Sequence, residues 1–235
     1  MIKKAHKKIG IIGGLSPEST VSYYSHITRS YVARFGDCGY PEIIIYSVNL
    51  EQYHAWRAQG RWDLIAKDLA NIANKLKDAG ADLGVIATNT MHKVFDQVQD
   101  GTDLPLLHIL EPTIAEIRKA GLLRVGLLGT QFTMAEQFYK NHLSSAGIST
   151  VVPTLANQAI VHDIIVKELV RGIFTEQSRQ SYLEIINQLV ADGADGVILG
   201  CTEIPLLIDQ KSCEVPLFDT ATLHAEAALQ AAISV

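Results

Sequence analysis

No stretch of this chain stays apolar for the roughly 18 residues that a membrane-spanning helix needs. Basic residues are not in excess either: 20 Lys and Arg stand against 25 Asp and Glu, a formal net charge of −5. Binding to a phosphate backbone calls for clustered Lys and Arg, so a nucleic-acid surface is not expected. Cysteine is scarce, with three residues at scattered positions (Cys38, Cys201 and Cys213). An odd, unpatterned set reads as reduced cytosolic thiols rather than a disulfide framework. The histidines lack metal-ligand spacing, and the glycines fit neither a dinucleotide fingerprint nor a phosphate-binding P-loop. No metal, nucleotide or pyridoxal cofactor is expected. The basic start, MIKKAHKK, could pass for the first region of a secretory signal. The apolar run behind it is only IGII before Gly13-Gly14, with no cleavage pattern, so a cytoplasmic chain is expected.

What is present is enough apolar material, 48% of 235 residues, for one large or two small cores. Short β-branched runs alternate with longer amphipathic segments, the pattern of strands joined by helices over a parallel sheet. The expected strands are 8–13, 42–48, 83–88, 105–109, 124–129, 149–153, 196–200 and 216–220. Among the helices, WDLIAKDLANIANKLKDAG places Leu64, Ile65, Leu69, Ile72, Ala73 and Leu76 on one face, with Gly80 suited to its C-terminal cap.

A duplication runs through the chain. GADLGVIATNT (80–90) aligns without a gap on GADGVILGCTE (193–203) at an offset of 113, that is 193 less 80. IGIIGG (9–14) matches VGLLGT (125–130), and LPLLHI (104–109) matches VPLFDT (215–220), at nearly the same offset. Recurrence in the same order points to an α/β fold of two similar Rossmann-like or flavodoxin-like lobes. Each would hold a parallel four-stranded sheet, with the lobes related by a pseudo-two-fold axis and the active site in the cleft between them. The last strand and helix are assigned to the first lobe, giving domains of 1–105 plus 215–235 and of 106–214.

Strand ends are where α/β sheets concentrate chemistry, because helix N-termini and free backbone amides converge there. In the alignment Thr88 falls on Cys201, a hydroxyl on a thiol. Cys201 leaves its strand in Gly-Cys-Thr-Glu, a sharp exit into an expected helix whose N-terminus would lower the thiol pKa from about 8.5. A buried cysteine serving as a small apolar residue is the plainer alternative. The polar Thr202-Glu203 favours a chemical role. Thr88, Asn89 and Thr90 form a polar trio suited to a carboxylate, or equally to capping a helix. An unassisted Thr hydroxyl is too weak an acid to be a resting base, so Thr88 does not simply replace a thiol. GIIGGLSPEST (10–20) reads as a loop bringing amides and Ser16 to a small anion, with Thr130 and Thr133 at the matching place in the second lobe. His92 supports the Thr88 turn, His224 lies on the last helix, and Asp219 reads as a helix cap. Cys38 and Cys213 read as incidental. Arg57 and Arg61 are candidates for a distal carboxylate, or else solvated surface cations.

The GGLSPEST loop, the TNTMH turn, GLLGT and LGCTE, in that order over nearly the whole chain, resemble the aspartate/glutamate racemase superfamily. That resemblance implies a cofactor-independent and often dimeric enzyme. Two cysteines there work on an amino acid, one removing the α-proton and the other protonating the opposite face. Cys201 then matches the second cysteine, and Thr88 stands where the first belongs. Asn89, Thr90, Thr130 and Thr202 fall on positions that hold the α-carboxylate and amino groups. Racemisation of aspartate or glutamate by Cys201 with an atypical partner, favouring one enantiomer, is the expected activity. A decarboxylase or maleate-type isomerase of a small dicarboxylate is the enzymatic alternative. A dicarboxylate-binding module that has lost half its machinery is the non-enzymatic one.

Overall fold

The computed structural model describes residues 6–234, so the first part of the basic N-terminal cluster lies outside the described residues. In chain order the elements begin with β1 (Ile9–Gly13), α1 (Pro17–Phe35), β2 (Ile43–Ser47), α2 (Leu50–Ala58) and α3 (Trp62–Asp78). They continue with β3 (Leu83–Ile86), α4 (Phe95–Asp100), β4 (Leu106–Leu107), α5 (Leu110–Lys119) and β5 (Arg124–Leu128). Next are α6 (Gln131–Ala135), α7 (Gln137–Ser145), β6 (Ser149–Val151), α8 (Leu155–Lys167) and α9 (Glu176–Ala191). Last come β7 (Val197–Leu199), β8 (Leu217–Asp219) and α10 (Thr220–Ile233). All eight expected strands occur.

The strands form two four-stranded sheets of the same order, β2-β1-β3-β4 and β6-β5-β7-β8, with every pair parallel. The chain divides into two compact units, residues up to 109 with 221 onward, and residues 110–220. The boundaries therefore lie a few residues beyond those drawn at 105 and 215. More consequentially, β8 pairs with β7 in the second sheet. Only helix α10 returns to the first unit, not the last strand and helix together.

In the first unit both faces of the sheet are covered, which is why its strands read as continuous apolar runs rather than alternating ones. Ile9, Ile11, Leu83 and Val85 pack with α1 and α10 through Tyr23, Ile27, Ala225 and Leu229. Ile12 and Ile86 turn the other way, onto Ile65, Leu69, Ile72 and Leu76 of α3. The period of two along each strand decides which core a residue joins. Leu64, at the margin of the expected helix face, is only half-buried. In the second unit Leu128, Val197 and Leu199 share a core with Ile164, Ile165, Ile185, Ile186 and Leu189. Gly80 and Gly193 follow α3 and α9 at φ of 98° and 92°, so both copies leave their helix through a left-handed residue that glycine adopts without strain.

Candidate active site

Parallel register brings particular strand ends together. In the first sheet Ile12 pairs with Ile86, and the Ala87 amide bonds the Ile12 carbonyl at 3.0 Å. The loop after β1 and the Thr88–Thr90 turn after β3 therefore leave the sheet at adjacent strand ends. In the second sheet Leu128 pairs with Leu199, and the Gly200 amide bonds the Leu128 carbonyl at 2.7 Å. Thr130 after β5 and Cys201 after β7 are neighbours in the same way. Each unit thus gathers its own half of the expected site residues.

In the first unit Ser16 caps α1: its hydroxyl accepts from the Ser19 amide at 3.4 Å and donates to Glu18 at 3.2 Å. Thr20 closes the loop behind it, accepting from the Gly14 amide at 2.9 Å and donating to the Ser16 carbonyl at 3.0 Å. Thr88 and Thr90 are half-buried and Asn89 is buried. The trio leads into a single turn of 3-10 helix, Thr90–Val94, and Asn89 makes no side-chain capping bond to it. Capping therefore does not account for Asn89.

In the second unit Thr130 caps α6, accepting from the Thr133 amide at 3.3 Å. Thr133 is buried, with its hydroxyl 3.2 Å from that of Thr130 and its carbons against Gly129 and Gly200. A β-carbon on Gly129 would lie 3.0 Å from the Thr133 β-carbon, so glycine lets helix α6 close onto the strand ends.

At Cys201 the structure differs from the sequence expectation. No α-helix starts after it; a turn leads to the short 3-10 segment Ile204–Leu206. The thiol donates to Glu203 Oε2 at 2.9 Å, and the Thr202 hydroxyl donates to the same oxygen at 2.8 Å. Burial of the thiol, and next the adjacent Glu203 carboxylate, push the Cys201 pKa well up rather than down. Backbone amides of Thr202 and Glu203 pull the other way, as expected of a strand exit, but they are outweighed. At rest Cys201 is therefore a protonated thiol with its acceptor already in place. Glu203, itself buried, counted in the sequence only as a polar neighbour of the thiol and was given no role of its own; its place two residues past the thiol was the available signal. Tyr182 of α9 adjoins this cluster, its hydroxyl pKa driven up by burial first and by Cys201, Glu203 and Glu168 after that.

The remaining candidates separate clearly. Arg61 is engaged by Asp63 through two bonds of 2.9 and 2.7 Å at the surface. Arg57 is half-buried, and burial lowers its pKa with no carboxylate offsetting the cost among the described residues. His92 and His224 are both buried in the first unit. Cys38 is exposed in its loop, and Cys213 is half-buried with its thiol pushed up, first by burial. Among the described residues, no group of three or more His, Cys, Asp or Glu is arranged to hold a metal ion. No described helix is long and apolar enough to cross a membrane.

Two α/β units, each with an all-parallel sheet of the same strand order and one bearing a thiol–carboxylate pair at a strand end, define the class of protein. The chain belongs to the Asp/Glu/Hydantoin racemase family, whose profile matches residues 12–228. Membership makes it an isomerase of the amino-acid racemase type. It is 42% identical to a Yersinia pestis protein provisionally assigned as an Asp/Glu racemase, covering 97% of this chain and 99% of that one with a TM-score of 0.91. An aspartate racemase homologue from Pyrococcus horikoshii OT3 is 38% identical over 96% of this chain and 99% of its own, with a TM-score of 0.88. The broad specificity amino-acid racemase RacX of Bacillus subtilis (strain 168) is 27% identical over 93% of this chain and 95% of its own length.

Proposed function

We propose that the protein racemises aspartate or glutamate without a cofactor, with Cys201 as the acid/base on one face of the substrate and Thr88 as partner on the other. The observation that carries the reading is the hydrogen bond from the Cys201 thiol to Glu203 at the end of β7, in a chain of this family. A thiol that only filled a core would not sit against a buried carboxylate.

In this reading the substrate ammonium docks beside Cys201 and stabilises the thiolate, so the thiol proton passes to Glu203 Oε2. The amides of Thr202 and Glu203 hold the sulfur anion. The Cα–H bond then breaks, its electron pair staying on Cα and spreading into the α-carboxylate, and the proton goes to Sγ. Asn89, Thr90, Thr130 and Thr202 hold the α-carboxylate and ammonium, with Ser16 beside them and Thr133 supporting Thr130. Arg57, a half-buried cation with no carboxylate partner among the described residues, receives the distal carboxylate. On the Thr88 face Cα takes its proton from ordered water, because a Thr hydroxyl is a far weaker acid than a thiol. The hydroxide left behind is neutralised through solvent by the proton held on Glu203, which restores the Cys201 thiol and the Glu203 carboxylate. Catalysis is therefore one-sided: the L-enantiomer is deprotonated readily and the D-enantiomer slowly. The reading extends to a cytoplasmic homodimer, which sedimentation checks.

The test is incubation of each enantiomer of aspartate and glutamate in deuterated water, with the α-proton followed by NMR. L-selective exchange, lost by at least a thousandfold in Cys201→Ala, is expected; no exchange from any of the four would sink the proposal. Thr88→Cys should raise exchange of the D-enantiomer at least tenfold.

A further inference from the structure

His92 lies two residues past Thr90 and is buried, and both of its ring nitrogens are engaged. The Ile109 backbone amide donates to Nε2 at 3.1 Å, so that nitrogen carries no proton. The proton therefore sits on Nδ1, which donates to the Thr88 carbonyl at 2.8 Å. One neutral ring thus links the exit of β3 to the exit of β4. Two further bonds close the turn locally, Thr88 amide to Ile86 carbonyl at 2.8 Å and His92 amide to Asn89 carbonyl at 3.2 Å. The ring is itself wedged: Phe95 stacks on it at 5.5 Å between centroids, and His108 meets it edge-on at 4.8 Å.

A second imidazole braces the same strand end. His224 of α10 lies 5.8 Å from His92 between ring centroids, and its Nε2 donates to the Leu107 carbonyl at 2.9 Å. Its Nδ1 accepts from the Tyr23 hydroxyl at 2.8 Å. The residues of the β4 exit to which His92 is anchored are thereby held from α1 and α10, which gives the Thr88 carbonyl a rigid reference.

We propose that His92 is the positioning residue of the Thr88 turn, its neutral Nδ1–H tautomer fixing the Thr88–Asn89 peptide so that the Thr88 face can reprotonate the substrate. This rests on the racemase reading above. It makes the two faces of the reaction separable. Loss of the Nδ1–H bond disturbs the Thr88 face, while proton removal at Cys201, which is on another element, continues.

The experiment uses the full chain with L-aspartate and L-glutamate in deuterated water. It reads deuterium uptake at Cα in the L-enantiomer and formation of the D-enantiomer separately. His92→Asn keeps an amide donor near the Nδ1 position, whereas His92→Gln carries its amide out to the Nε2 position and leaves no donor at Nδ1. The ratio of inversion to exchange is expected to fall at least tenfold in His92→Gln and less than threefold in His92→Asn, with KM rising more in the former. Equal ratios in the two variants, or equal loss of inversion and exchange, would overturn the positioning role and leave only a packing one. A wild-type chain inert toward both amino acids removes the racemase reading and this inference with it. Imidazole nitrogen NMR shifts of the unmutated protein give a check that does not depend on variant folding. The Nδ1–H tautomer is expected at neutral pH, and an Nε2–H tautomer or an imidazolium would refute the clamp.

Discussion

At the scale of single residues the decisive contest is at Cys201. Strand-exit amides favour the thiolate, while burial and a carboxylate 2.9 Å away favour the thiol, and the latter pair prevails. In low-dielectric surroundings a neighbouring negative charge acts much more strongly than it would in water, and two backbone dipoles do not cancel it. Glu203→Gln removes the repulsion and the proton-accepting base, leaving a carbonyl that can accept only a hydrogen bond. The Cys201 alkylation midpoint, read by mass spectrometry against pH, is expected to move down by at least one pH unit. At the same time α-proton exchange should fall at least tenfold, because the thiol loses its internal proton acceptor. Glu203→Asp should recover part of the rate; an unchanged midpoint in Glu203→Gln would contradict the assignment.

Among the elements, the two strand–helix junctions carry one device in two forms. After β1, Thr20 folds back over Gly13; a β-carbon there would meet the Thr20 Cγ2 at 2.5 Å and Oγ1 at 2.7 Å. After β5, Thr133 covers Gly129 more loosely, the nearest approach being 3.0 Å. Overpacking of a tight site costs about 1–3 kcal/mol. Gly13→Ala is expected near the upper end of that range and Gly129→Ala near the lower. Urea unfolding followed by circular dichroism measures both, and the reverse order would mean that the Thr20 side chain moves aside cheaply. The glycines of these runs were visible in the sequence, as were the strands on either side. That Thr20 and Thr133 are the side chains closing over them was not, because their spacing from the glycines differs between the copies.

At the scale of the whole molecule, stability should depend on acid through His224. Burial, above all, lowers its pKa to about 3 from an ordinary 6.5. Below 6.5 the unfolded chain takes up a proton that the folded chain refuses until about pH 3. Stability is therefore fully present above 6.5 and lost as pH falls through that window, at about 1.4 kcal/mol per pH unit for one proton. His224→Gln should flatten the loss between pH 6 and 4 in chemical denaturation while lowering stability at pH 7. A slope unchanged by the substitution would assign the acid sensitivity to other groups. The ring holds α10 to α1 and to β4, contacts 201 and 117 residues apart in the chain, so its titration reports on the fold as a unit.

Much of this was legible from local order. Strand positions follow from β-branched runs bounded by glycine and polar turns, and the duplication follows from a nearly constant offset, so eight strands and two similar sheets could be read directly. The ends of β3 and β7 could be marked as chemical because Thr88-Asn89-Thr90 and Cys201-Thr202-Glu203 break apolar runs with polar groups. Tertiary structure alone decided three things. It kept β8 in the second sheet, because hydrogen bonding to β7 is a pairing of residues about twenty apart that apolar pattern does not specify. It reversed the direction of the Cys201 pKa, because burial and the orientation of the Glu203 carboxylate depend on the folded surroundings rather than on the neighbouring letters. It chose the tautomer of His92, because a ring's protonation follows its partners, and one of them, the Ile109 amide, arrives from the turn after β4.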